Sequence, residues 1–130
     1  MKYLLISILT LATIYSCSKH KGDIEEYIPT AGIVFSNPVP NTVYHPGDTV
    51  FIKGTAISTA VIHGYDIAIR KVNDTTTLFF INKHDHNDTL QINQSWKNEL
   101  VQPASLEATV TLYLDHEHHT YTRKLGFRVE

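Results

Sequence analysis

From Ala31 to the end of the chain, apolar side chains recur mainly at every second position, in runs separated by Gly, Pro, Asn and Asp. Successive side chains leave a strand on opposite faces, so this alternation reads as half-buried β-strands, and no stretch carries the period of an amphipathic helix. The pattern predicts strands over 31–36, 48–57, 63–72, 76–83, 89–94, 106–115 and 120–129. The clearest is 106–115, with Leu106, Ala108, Val110, Leu112 and Leu114 on one face and Glu107, Thr109, Thr111, Tyr113 and Asp115 on the other. Tyr121, Leu125, Phe127 and Val129 answer it in the last strand, where Arg123 interrupts the inward row. Val50, Ile52 and Ala56 share a face, with Gly54 as a bulge or point of close approach, and so do His63, Tyr65, Ile67 and Ile69.

The punctuation between these runs is specific. The two prolines of Asn37-Pro38-Val39-Pro40-Asn41 lack the backbone donor that a strand ladder needs, and His45-Pro46-Gly47-Asp48 is a turn by residue chemistry. Residues 72–75 and 115–119 read as tight hairpin connections. This layout resembles an immunoglobulin or fibronectin type III sandwich, and Tyr44-His45-Pro46-Gly47-Asp48-Thr49-Val50 is similar to the second-strand entry of bacterial Ig-like modules. The resemblance covers residues 31–130. It implies an all-β, seven-stranded antiparallel Ig-like β-sandwich, a fold that hosts many functions and names none.

Ahead of the domain lies a different pattern. Met1-Lys2 is followed by an uncharged, largely aliphatic run from Tyr3 to Ile14, then Ser16 and the chain's one cysteine, Cys17. A positive start, a short apolar stretch and a small residue before the cut describe a secretory signal, and the run is short of the roughly 20 apolar residues of a membrane span. Ile14-Tyr15-Ser16-Cys17 resembles the lipobox of bacterial envelope lipoproteins, with Tyr15 where a small residue is usual. The resemblance implies cleavage before Cys17, lipidation of that residue, and anchoring to a membrane; Ser18 after it looks like an outer-membrane address. The expected organisation is a signal peptide over 1–16, the lipidated cysteine and a flexible tether over 17–30, and the β-domain over 31–130.

Composition narrows the options further. A single cysteine leaves no internal disulfide, so the domain stands on its apolar core. The formal net charge of −2 becomes more negative once Lys2 leaves with the signal, which gives no support to a nucleic-acid partner.

Eight histidines in 130 residues are the departure from the ordinary. His20 falls in the tether and His45 in a turn. If successive strands reverse direction, the connections 58–62, 84–88 and 116–119 fall at one end of the domain and gather His63, His84, His86, His116, His118 and His119. His84-Asp85-His86 and His116-Glu117-His118 are His-x-His pairs, whose side chains in extended backbone point the same way with origins about 6.6 Å apart. Two such imidazoles can converge on one ion. Imidazole suits Zn, Cu and Ni, and Asp85, Asp88, Asp115 or Glu117 could ligate or orient a ring. The competing reading is ordinary polar loop residues.

Other motifs carry less. Asp85-His86-Asn87-Asp88 lacks the glycine and terminal glutamate of an EF-hand loop. Ser58 or Ser105, a loop histidine and Asp66 compose a hydrolase triad only on paper, because neither serine sits in a nucleophile elbow. Trp96 reads as a core plug. Asp48-Thr49-Val50, Asp74-Thr75-Thr76 and Asp88-Thr89-Leu90 resemble an O-glycosylation acceptor of some envelope proteins, with Thr49, Thr75 and Thr89 as acceptors, and are equally turn-to-strand chemistry. The leading expectation is a non-catalytic, lipid-anchored Ig-like module binding a protein or glycan partner through its His-rich end. The alternative is a small lipoprotein that binds or buffers Zn or Cu.

Overall fold

The computed structural model describes residues 27–130, so the expected signal peptide, Cys17 and most of the tether lie outside the described residues. Among those described, the chain forms six strands and no helix: β1 (Ala31–Asn37), β2 (Val43–Tyr44), β3 (Thr49–Lys71), β4 (Thr77–Lys97), β5 (Ala104–Tyr113) and β6 (Thr120–Val129). They make one curled, mixed sheet in the order β1-β3-β5-β6-β2, with β4 on the other side of β3.

The sheet is organised by one long ribbon. β3 and β4 pair antiparallel from Thr49↔Lys97 to Arg70↔Thr77, joined by the 72–76 turn, in which Asp74 accepts a hydrogen bond from the Thr76 N–H at 2.8 Å. The first half of β3 takes β1 along its other edge, and the second half takes β5. Between these halves the ribbon bends. Ser58, Thr59, Ala60 and Val61 of β3 face only Asp88 of β4, and a step further His63 faces both Asp85 and His86. Extra residues on one side of a ladder bend the strand and raise its twist.

The bend also swaps the buried face. Val50, Ile52 and Ala56 are inward before it, whereas Tyr65, Ile67 and Ile69 are inward after it, a change of parity that a slip in register produces. Gly64 sits at the switch with φ +143°, and an added Cβ would lie 2.4 Å from the Lys83 carbonyl oxygen. That position requires glycine. Gly54 is the close-approach point expected of it, since its Cβ would meet the Val34 carbonyl oxygen at 2.6 Å.

The curl closes the sheet over a single core that joins Ile33, Val50, Ile52, Leu90 and Ile92 to Ile67, Leu106, Val110, Leu112 and Phe127. Arg123 fastens the closure. It interrupts the inward row of β6 because its guanidinium donates to the Ile33 carbonyl of β1 and lies over the Phe35 ring, 5.7 Å from the centroid. At the end away from the bend, buried Asn98 holds the 45–48 turn, its Nδ2 donating to the His45 carbonyl at 3.0 Å and its N–H to the Asp48 carbonyl at 2.8 Å.

Two departures from the expected seven antiparallel strands follow. The runs 48–57 and 63–72 are one strand, as are 76–83 and 89–94, because the stretches between them hold no proline and their backbones keep pairing through the bend at Ile62↔Asn87. The proline segment after β1 carries the chain across to the far edge. There β2 meets β6 in parallel, Val43 opposite Arg128 and Tyr44 opposite Val129.

Candidate metal centre

The bend in the β3/β4 ribbon and the β5–β6 loop come together at one place, and that place carries the histidines. On β4, His86 is one of the two residues that His63 faces across the ladder, and His84 lies just past Asp85, the other. In regular strand the His84 and His86 side chains share a side, and here their Nε2 atoms lie 2.8 Å apart, one ring donating and the other accepting. His63 stands edge-on to His86, ring centres 4.9 Å apart, and against His116 of the β5–β6 loop at 4.3 Å. His84, His86, His63 and His116 thus form a row in which each ring touches the next, built from three separate segments of chain.

The His84–His86 contact needs one Nε2 to accept from the other. His63 is held below the ordinary imidazole value, first by loss of solvent and then by the neighbouring His116, His86 and His84, with the Asp115 carboxylate opposing them. Its Nδ1 is buried and has no hydrogen-bond partner among the described residues. A ring nitrogen that the protein leaves unmet is one that an incoming ligand can meet.

His118 and His119 part company in the loop. His118, at φ +71°, lines a groove of about 350 Å³ together with His63, His84 and His116. His119 is turned to Asp115, its Nδ1 donating to the carboxylate at 2.5 Å. Asp115 also accepts from the backbone N–H groups of Glu117 at 2.9 Å and His119 at 3.0 Å. Partial burial pushes the Asp115 carboxyl upward as its largest single influence, and these hydrogen bonds together outweigh it and hold the group below the usual range. Ligand atoms of Asp115, Glu117 and His119 lie within 4.8 Å of one another. Because Asp115 is already spent on three hydrogen bonds inside its own loop, that trio is better read as the brace that presents His116 to His63.

The sequence placed six histidines at one end. Four are in ring contact, His118 borders the same groove, and His119 supports the loop. The bulge that makes His63 face Asp85 and His86 was missed, although Gly64 beside a histidine was a signal for it. Asp85 was expected as a ligand or orienting group; its carboxylate accepts from the His86 N–H and the Asn87 side chain, both at 2.7 Å, and shapes the bulge.

The other marked residues lie apart. Thr49, Thr75 and Thr89 are all exposed, at the start of β3, in the 72–76 turn and beyond the bend in β4. Ser58 accepts from the Ala60 N–H at the bend, and Asp66 is occupied by Asn82 at 2.5 Å and by the Tyr113 hydroxyl, whose own pKa is raised by that bond first and by burial second. Trp96 is half-buried against the core. No protein-family model matches this chain, and a search of the curated proteins finds no match.

Proposed function

We propose that this chain is an exported, lipid-anchored envelope module whose β-domain binds a divalent transition-metal ion, zinc or copper, through His63, His84, His86 and His116. The observation that carries the reading is the row of four imidazoles drawn from β3, β4 and the β5–β6 loop, with a buried and unmatched nitrogen on His63. Three imidazoles on one tetrahedral ion have ring centres roughly 5 Å apart, from Zn–N bonds of about 2.0–2.1 Å. Each neighbouring pair in the row meets that spacing, at 4.3–4.9 Å, while among the described residues no three ring nitrogens of the row lie within 4.8 Å of one another, so the outer rings swing inward to share one ion. Two nitrogens on such an ion are separated by roughly 3.3 Å. The His84–His86 pair, at 2.8 Å, therefore opens by about half an ångström and exchanges its hydrogen bond for two coordinate bonds.

The anchor rests on the Ser16-Cys17 junction after the apolar run, and outer-membrane placement on Ser18. An Ig-like description of the domain is supported by the pairing. β1, the first half of β3 and the second half of β4 would be one layer, and the remaining halves with β5, β6 and β2 the other. The module is read as binding rather than catalytic, since the groove beside the histidines presents ligands and no activated nucleophile.

Calorimetric titration of the full chain with Zn²⁺ and Cu²⁺ tests the reading. Saturable one-to-one binding is expected, weakening below about pH 6.5, because protonated imidazole has no lone pair for a metal. His84→Ala/His86→Ala should cost more than the 10–100-fold that loss of a supporting partner costs at metal sites. His63→Ala on top should cost little more, the shared site being gone. Strictly additive losses, or no saturation below roughly 100 µM, an affinity near −5.5 kcal/mol, would overturn it and return the loop end to the competing role of a surface for a protein or glycan partner.

A further inference from the structure

Residues 49–57 of β3 run between β1 and the second half of β4, and the side chains that these segments turn away from the core make one outer face. Among the described residues nothing lies over it. Val34 of β1 is 72 % exposed and Ile57 of β3 is 58 % exposed, and the two are diagonal neighbours across the ladder. Gly32, directly opposite Ile57, offers no side chain to cover it. Phe51, further along the same face, is exposed too and carries the Lys53 ammonium 4.8 Å from its ring centre. Open apolar groups side by side mark a place where something binds.

Charge and chain path say what that is. Residues 31–37, 49–57 and 89–97 contain no Asp or Glu, although the chain has 13, and the face they form carries two cations, Lys53 and Lys97. The outer face of the other half of the sheet, by contrast, carries Asp66 and Glu107. Around Lys53 lies a depression of about 400 Å³ bordered by Thr55, Gln91 and Asn93, where an ammonium and side-chain amides can donate to a phosphate oxygen. The chain enters the domain at the Ile57 end of the face, where the Thr30 N–H donates to the Thr59 hydroxyl at 3.0 Å and the Tyr27 hydroxyl to the Thr59 carbonyl at 3.2 Å. Tyr27 and Ile28 are themselves exposed there. Ten residue steps lead back from Tyr27 to Cys17, a reach of at most about 36 Å. A lipid held at Cys17 thus keeps the bilayer within about one length of the face, roughly 30 Å for a strand segment of this size.

We propose that this face lies on the phospholipid surface to which the anchor ties the domain, with Val34, Ile57 and Phe51 at the boundary between headgroups and acyl chains and Lys53 and Lys97 on headgroup phosphates. The inference rests on the lipid-anchor reading of Cys17 and is independent of the metal. Held this way, the domain turns Thr109 of β5, on the outer face of the other half, to the water.

The test uses the lipidated full chain reconstituted in vesicles of phosphatidylethanolamine and phosphatidylglycerol. The lipid consumes the one native thiol, so Thr55→Cys on the face and Thr109→Cys on the opposite outer face can each take a single fluorophore. Lipid carrying a nitroxide on its headgroup should quench most of the emission at position 55 and little at 109. Val34→Asp/Ile57→Asp, both at exposed positions, should bring quenching at 55 down to the 109 level with the circular dichroism unchanged, and Lys53→Glu/Lys97→Glu should do so in part. Equal quenching at the two positions, or quenching at 55 that neither pair of substitutions alters, would overturn the proposal. Dimming at 55 that follows protein density instead of nitroxide lipid would assign the face to a second copy and overturn it as well. A chain that fails to float with the vesicles would overturn the anchor and this proposal with it, and flotation reads that failure before any fluorescence is measured.

Discussion

The ring of His63 stands at 83° to that of His86, centres 4.9 Å apart, although one residue belongs to β3 and the other to β4. A regular ladder would set one β3 residue against one β4 residue. Here His63 has two, and the extra residue brings His86 over the His63 ring while His84 stays in contact with His86. The histidine row is thus a product of irregular pairing, which ties its geometry to Gly64 and to the bend.

Gly64→Ala tests that tie. The residue's positive φ is costly for any side chain by roughly 1–3 kcal/mol, and the Cβ would collide with the Lys83 carbonyl. A fall in the urea midpoint and a loss of metal affinity should come together. Gly32→Ala, where a Cβ meets nothing within 4 Å, serves as the control and should change neither.

The core makes a separate claim. Leu112 is fully buried on β5, opposite Tyr65 on one side and Tyr121 on the other. Leu112→Ala should destabilise the domain by roughly 2–5 kcal/mol. An unchanged thermal midpoint would mean that the inward face of β5 is not the load it appears from its burial.

Much of this architecture was legible before any coordinates. The alternation over 106–115 places Leu106, Ala108, Val110, Leu112 and Leu114 inward, and all five are buried. What was not legible is where a strand bends instead of ending. Polar runs such as Ser58-Thr59 and Asp85–Asp88 look alike whether the backbone keeps its ladder or leaves it, because hydrogen bonding of the main chain is invisible in side-chain polarity. Arg123 was similarly opaque: an arginine in an inward row makes sense only once Ile33 and Phe35 of β1 are brought over it by the curl. The grouping of the histidines survived the miscounted strands, since a bend that folds the ribbon places 58–63 and 84–88 together just as two separate loops would.

Acid should destabilise the metal-free protein in a way that maps to His63. Its folded-state pKa is lowered, while the unfolded chain takes the proton at about 6.5. The unfolded state therefore binds more protons in the interval below that value, and stability declines as pH falls from about 6.5 to the folded-state pKa, then levels off. Urea midpoints in the presence of chelator should show this slope, and His63→Gln should flatten it. An identical slope in both proteins would assign the effect elsewhere. The depressed carboxyl of Asp115 acts in a lower window: its contribution is present above the unfolded value near 3.8 and is lost as pH falls through its folded-state pKa.

The proposed anchor is tested by one substitution. Cys17→Ser should abolish incorporation of a radiolabelled fatty acid and leave the protein soluble or held by an uncleaved signal, because that residue supplies the attachment point. Undiminished labelling would contradict the lipoprotein reading.

The most direct measurement is X-ray absorption at the zinc edge on the full chain loaded with one equivalent of Zn²⁺. The account predicts a first shell dominated by nitrogen at about 2.0–2.1 Å, with the outer-shell scattering of several imidazole rings, and a marked loss of that signal in His84→Ala/His86→Ala. A shell of oxygen alone, or an imidazole signal untouched by that double substitution, would contradict it.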